Sequence, residues 1–234
     1  MLGITCKPSM EDETLAKAIQ RELCFVDSIL NSPLHRQTKS PTLWHHRYWV
    51  LWKFYPSVSQ SSGMTADRTL EDHCNSFLRR DLLVITAASE RHPKNYYAWL
   101  HGRKLVHLIS SIVQGSDSQK LTLENLLSMT CHATYSWCLQ HPSDISGWSF
   151  LEFLISHPYC DSAIYSQIVT DTLQWALNLN WRQEAVWSFV RTAIAVEKGK
   201  SNVSCSTWLA QLNFHCAETS VPNPRVVSTR AWIN

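Results

Sequence analysis

Residues 92–103 read HPKNYYAWLHGR, and the fold turns on how this stretch is taken. Pro93 stops the helix before it, since proline lacks a backbone donor and clashes with the preceding turn. Asn95, Tyr96 and Tyr97 then start a second helix, along which Trp99, Val106, Ile109 and Val113 align at helical spacing. The stretch is a join between two helices, and looser copies of it recur. SPTLWHHRYWVL from Ser40, PSDISGWSFLEFL from Pro142 and EAVWSFVRTAI from Glu184 bring Trp44, Trp148 and Trp187 into register with Trp99. Intervals of about 40 to 55 residues are the scale of stacked supersecondary units. Each of the four Trp is read as hairpin core, because an aromatic at fixed helical spacing is first a packing element.

On the N-terminal side, Leu15, Ile19, Leu23, Val26, Ile29 and Leu30 make one buried helical face, with Glu11, Asp12 and Glu13 suited to the positive end of its dipole. Ser40 offers an N-cap and Pro41 a first helical residue; Trp44, Tyr48, Leu51, Trp52 and Tyr55 form the next stripe, up to Pro56. The pattern predicts a hairpin over 11–56, an exposed Ser-rich connector over 57–66, and a second hairpin over 67–113. Hairpins over 121–156 and 159–198 follow, the latter closed by Gly199, with a partial unit over 203–234 in which Trp232 opens a fifth copy. Gly102, inside the second Trp helix, lowers helix propensity by about 1 kcal/mol and marks a place of close helix packing. No segment alternates apolar and polar residues as a half-buried strand does. The expected architecture is all-α: a single domain over 1–234 whose antiparallel hairpins stack as an α-α superhelix, or solenoid.

Composition narrows the function. Net charge is +2 with 17% charged residues, which gives no electrostatic footprint for nucleic acid. No apolar run reaches the roughly 18 to 20 residues of a membrane span, and the N-terminus lacks a signal-peptide core, so a cytoplasmic protein is expected. Eight Cys without a C-x-x-C pair fit reduced, mostly buried thiols better than a disulfide framework. His45, His46, His132 and His215 do not supply two ligands one turn apart with a second such pair, so no metal site is expected in this chain. Nucleophile-elbow, P-loop and paired-carboxylate motifs are lacking, which argues against independent catalysis.

Pro93, Lys94, Asn95, Tyr96 and Trp99 resemble the P-x-N-Y-x-x-W repeat of the protein prenyltransferase α-subunit family. The stretch from Ser40 is similar to its W-H-x-R-x-W form, and Glu184, Ala185, Trp187, Phe189 and Arg191 to a later variant. Ser143, Asp144, Ser146 and Trp148 depart from the Asn-rich start of that repeat; Gly102 stands where an Arg often follows, with Arg103 one place on, and Leu151 replaces the third repeat's Arg. The resemblance covers roughly residues 12–196.

The resemblance implies helix pairs wrapped around a catalytic β-subunit in a heterodimer, of the geranylgeranyltransferase kind, with a Rab-type β-subunit and a protein substrate bearing a C-terminal Cys. It implies no cofactor in this chain, the zinc belonging to the β-subunit. Lys94, in the P-K-N-Y position, and Tyr96 are then candidate catalytic contacts on the diphosphate side, where a compact positive charge suits the leaving group; the alternative for Lys94 is a solvated loop lysine. Arg47, Arg103 and Arg191, one turn beyond their Trp, are candidate partner-binding residues that could pair with acidic groups, or else ordinary surface arginines. A helical-repeat adaptor without enzyme partnership is the alternative function.

Overall fold

The computed structural model describes residues 10–34, 37–61, 70–112, 117–199, 203–218 and 223–233. These form ten helices and no strand: α1 (Met10–Leu30), α2 (Pro41–Ser61), α3 (Leu70–Arg91), α4 (Tyr96–Ile112), α5 (Asp117–Gln140), α6 (Ile145–Ile155), α7 (Ser162–Asn178), α8 (Glu184–Gly199), α9 (Val203–Glu218) and α10 (Pro224–Ile233). The all-α helical-repeat expectation holds. Several boundaries move. α2 continues through Pro56 to Ser61, since one missing N–H removes a single hydrogen bond from a ladder that can resume beyond it. Residues 62–69 and 113–116, which take in parts of the expected connectors, lie outside the described residues.

Two compact units divide the chain, Met1–Leu126 and Leu127–Asn234. In the first, α1 packs on α2 and α3 on α4, while α2 lies against α4 and α1 against α3. In the second, α7 packs on α8 and α9 on α10, with α6, α8 and α10 in sequence along one layer and α7 against α9 in the other. Within each unit, alternate helices therefore share a layer, as stacked hairpins require.

The shared register of the four Trp has a backbone cause. The N–H groups of Trp44, Trp99, Trp148 and Trp187 donate to the carbonyls of Ser40, Asn95, Asp144 and Gln183, at 3.2, 3.4, 3.2 and 3.4 Å. Each Trp thus closes the first turn of its helix onto the cap residue four places before it. The cap side chains Ser40, Asn95 and Asp144 also accept first-turn N–H groups, from Leu43, Ala98, and Ser146 with Gly147. From that position every indole points inward, and the four residues are only 0–3% exposed. The indole N–H groups of Trp44 and Trp187 both donate to the carbonyl six residues upstream, of Thr38 (2.8 Å) and Trp181 (2.7 Å).

Those two carbonyls also tie successive repeats together. The Asn95 amide donates to Thr38 at 3.0 Å, joining the start of α4 to the approach to α2. In the second unit the Asn223 amide donates to Trp181 at 2.8 Å, joining the start of α10 to the approach to α8 in the same way. Asn223 accepts from Arg225 N–H and its carbonyl receives Val227 N–H, so it is the cap of a fifth repeat. Trp232 does not open that repeat, as the sequence suggested. It lies near the end of α10, exposed, while Val227 takes the Trp position.

Candidate functional site

The candidate site lies in the first unit, around the start of α4. Lys94 occupies the bend between α3 and α4 with φ of 60°, a left-handed conformation that a lysine enters at a cost of roughly 1 kcal/mol. Its side chain is exposed, and Tyr96, at the first turn of α4, is 61% exposed, with its ring edge-on to Tyr97 at 5.4 Å. The two candidate contacts are thus neighbours at the surface. Beside them the Lys39 ammonium donates to the Pro93 carbonyl at 2.9 Å, fixing the bend.

Tyr97 also lines an open groove of about 400 Å³ between the N-terminal halves of α2 and α4, together with Pro41, Trp44, His45, Leu100 and Lys104. The Lys104 ammonium lies 5.3 Å from the centre of the Tyr48 ring, a cation–π contact that holds it on this side of α4. His45 belongs to a further feature. His45, Trp49 and Trp52 follow one another at i, i+4 and i+7 along α2 and form an exposed stripe, with Trp49 44% and Trp52 54% exposed. Trp49 is braced by His46 (ring centres 6.0 Å apart) and by Phe54 (6.0 Å). The sequence reading placed Trp52 in the buried stripe of α2; Trp44, Arg47, Val50 and Leu51 are buried there instead. The outer stripe could have been found by asking which α2 aromatics lie off the face that begins at Trp44.

The three arginines are not equivalent, and Arg47 is not a partner-facing residue. It is buried, ion-paired through Nε to Asp27 of α1 (2.7 Å) and through Nη1 to Asp81 of α3, with its guanidinium 3.1 Å from His101 Nε2 of α4. Burial holds the Asp81 carboxyl above its ordinary pKa although Arg47 pulls the other way. His101 is driven well below its ordinary value, by burial first and then by the Arg47 and Lys104 charges. Neutral His101 accepts from Arg47 at Nε2, which puts its proton on Nδ1, a buried atom without a hydrogen-bond partner among the described residues.

Helix geometry explains the difference between arginines. At about 100° per residue, a side chain three places beyond the Trp and one four places beyond diverge by about 100° around the axis. The third place holds Arg47, Gly102, Leu151 and Val190, all buried. Arg103 and Arg191 hold the fourth and are half-buried. Arg191 ion-pairs with Glu184 and donates to Thr229 of α10 at 3.3 Å, while Glu184 also pairs with Arg225. Arg191 is thereby committed to the seam between α8 and α10.

Among the described residues no group of three or more His, Cys, Asp or Glu converges as metal ligands, and no helix is long and apolar enough to cross a membrane. No disulfide joins the described cysteines.

A family model described as the ECM9 middle domain matches residues 48–173. The chain is similar to protein prenyltransferase alpha subunit repeat-containing protein 1 of Homo sapiens, 29% identical over 185 residues, which cover 71% of this chain and 43% of that protein. It is similar also to protein prenyltransferase alpha subunit repeat-containing protein 1-B of Xenopus laevis, 27% identical over 158 residues, 64% of this chain and 34% of that one. Protein prenyltransferase alpha subunit repeat-containing protein 1 of Danio rerio is 29% identical over 126 residues, 52% of this chain and 27% of that protein. The chain thus spans less than half the length of these curated relatives. No solved structure matches it.

Proposed function

The chain belongs to the ECM9 middle domain family, and from that footing we propose that it acts as the α-subunit side of a heterodimeric protein prenyltransferase of the geranylgeranyltransferase kind. In this reading the chain scaffolds a Rab-type catalytic β-subunit, which holds the zinc, and helps to place the isoprenoid diphosphate and the C-terminal Cys of the protein substrate. The observation that carries the reading is the recurrence of one capped join, with Trp four places after the cap, in a chain whose relatives are named for prenyltransferase α-subunit repeats. Three surface features support it. Lys94 stands in a bend that Gly or Asn would enter at lower cost, so the backbone gives no reason for a lysine there. Tyr96 is exposed beside it. Trp49 and Trp52 are of the residue type that anchors buried interfaces, and an obligate complex would cover more than roughly 2,000 Å².

Chemically, the step moves an isoprenoid from its diphosphate to a thiolate. The role assigned to Lys94 is to hold the diphosphate oxygens as negative charge develops on the departing group, and to Tyr96 to donate its phenol hydrogen to the same group. The zinc of the β-subunit supplies the lowered thiol pKa.

Co-expression with a Rab-type geranylgeranyltransferase β-subunit tests the reading. A stable complex is expected, transferring a labelled geranylgeranyl group to a Cys-terminated protein only when both chains are present. The Lys94→Ala complex should assemble and lose at least tenfold in turnover. Unchanged turnover would reduce Lys94 to a loop lysine. Failure to bind any prenyltransferase β-subunit would favour a second reading, a non-catalytic helical-repeat adaptor. One observation already leans that way: Arg47 and Arg191 are committed to ion pairs within the chain.

A further inference from the structure

Cys131 in α5 and Cys160 in the turn between α6 and α7 hold their sulfurs 3.9 Å apart. Both lie in the second unit, and they stand 29 positions apart in the chain, so tertiary packing makes them neighbours. Cys131 is buried, whereas Cys160 is half-buried and open to small solutes. The turn that carries Cys160 is held at both ends. Its N–H donates to the His157 carbonyl at 2.8 Å, and Asp161 caps α7 by accepting the Ala163 N–H, also at 2.8 Å.

We propose that Cys131 and Cys160 form a reversible oxidation site, closing to a disulfide that fastens α5 to the α6–α7 turn. A disulfide needs about 2.05 Å between sulfurs, so the gap must shrink by about 2 Å as the bond closes. Cys160 reacts first. The hydrogen bond from the Cys131 thiol lowers its pKa, against the opposing effects of burial and of Asp161, while the same hydrogen bond and then burial push Cys131 up. With a hydroperoxide as oxidant, the Cys160 thiolate attacks the peroxide oxygen. The O–O bond breaks, an alcohol or water leaves, and Cys160 becomes a sulfenic acid. The Cys131 sulfur then attacks the Cys160 sulfur; the S–O bond breaks, and hydroxide leaves with the Cys131 proton as water. Two thiols have lost two electrons in all and the peroxide has gained two. Excess dithiol reverses the change by exchange.

The test uses the full chain, treated with hydrogen peroxide and digested without reductant. The expected map contains a peptide pair joined through Cys131 and Cys160, two hydrogens lighter than the separate peptides, which dithiothreitol returns to free thiols. In a Cys131→Ser chain, Cys160 should instead be trapped by dimedone as a sulfenic adduct. The inference is overturned if Cys160 stays reduced while exposed Cys24 is oxidised, if it proceeds to sulfinic acid with Cys131 still a thiol, or if it pairs with Cys24 or Cys216. The unmutated chain carries the main readout, so a poorly folding Cys131→Ser chain does not remove the test.

Discussion

Arg47 and His101 are where a one-residue difference in register has the largest energetic consequence. Replacing Arg47 by Met strips the partner from the buried Asp81 carboxylate and should cost about 3 to 5 kcal/mol in urea unfolding. Adding Asp81→Leu should return part of that loss, because it removes the more deeply buried of the two carboxylates that Arg47 pairs with, while Asp27, which is partly exposed, stays without its partner. No loss in the single Arg47→Met chain would mean that the pair is not desolvated. His101 sets a pH dependence through its depressed pKa, in an environment of Arg47, Asp81, Asp27 and Lys104. Below about pH 6.5 the unfolded chain protonates this imidazole and the folded chain does not, so stability falls as pH drops, by up to about 1.4 kcal/mol per pH unit from this group. The His101→Gln chain should show a shallower loss between pH 6.5 and 5 in thermal melts; an identical slope would place the titration elsewhere. None of this was legible in W-H-H-R. The sequence shows an Arg one turn past a Trp, but whether the third or fourth place enters the core depends on what α1, α3 and α4 bring opposite it, and Asp27, Asp81 and His101 are remote in sequence.

At the scale of the element, the caps make the repeat. Ser40→Ala removes one side-chain bond to a first-turn N–H and should cost about 1 kcal/mol. Asn95→Ala should cost more, about 2 to 3 kcal/mol, because the same amide also bridges from α4 to the buried Thr38 carbonyl. Chemical denaturation of the two variants checks the order, and equal losses would leave the Asn95–Thr38 bridge without weight. Ser40 and Pro41 were readable as a helix start because their preferences are local. Asn223 was not, since nothing adjacent to it repeats the Trp; its kinship with Asn95 shows only in the carbonyl each one reaches. α2 ran past Pro56 for the opposite reason: a local breaker signal was outvoted by the rest of the helix.

At the scale of the whole molecule, mutation of the exposed α2 stripe tests the partner surface. Trp49→Glu with Trp52→Glu should leave the melting temperature nearly unchanged, since both rings are exposed, yet weaken binding to a β-subunit at least about thirtyfold, the scale of a central interface anchor. Unaltered binding by a folded double variant would move the interface off α2. The sequence by itself determined the helical class, the recurring Trp and the joins at Pro93 and Pro142, because helical periodicity, proline and capping act over a few residues. Tertiary structure alone decided that Arg47 turns inward, that Trp49 and Trp52 turn outward, and that Cys131 meets Cys160. Those outcomes depend on which helix packs opposite each side chain, and that is settled by contacts between residues far apart in the chain.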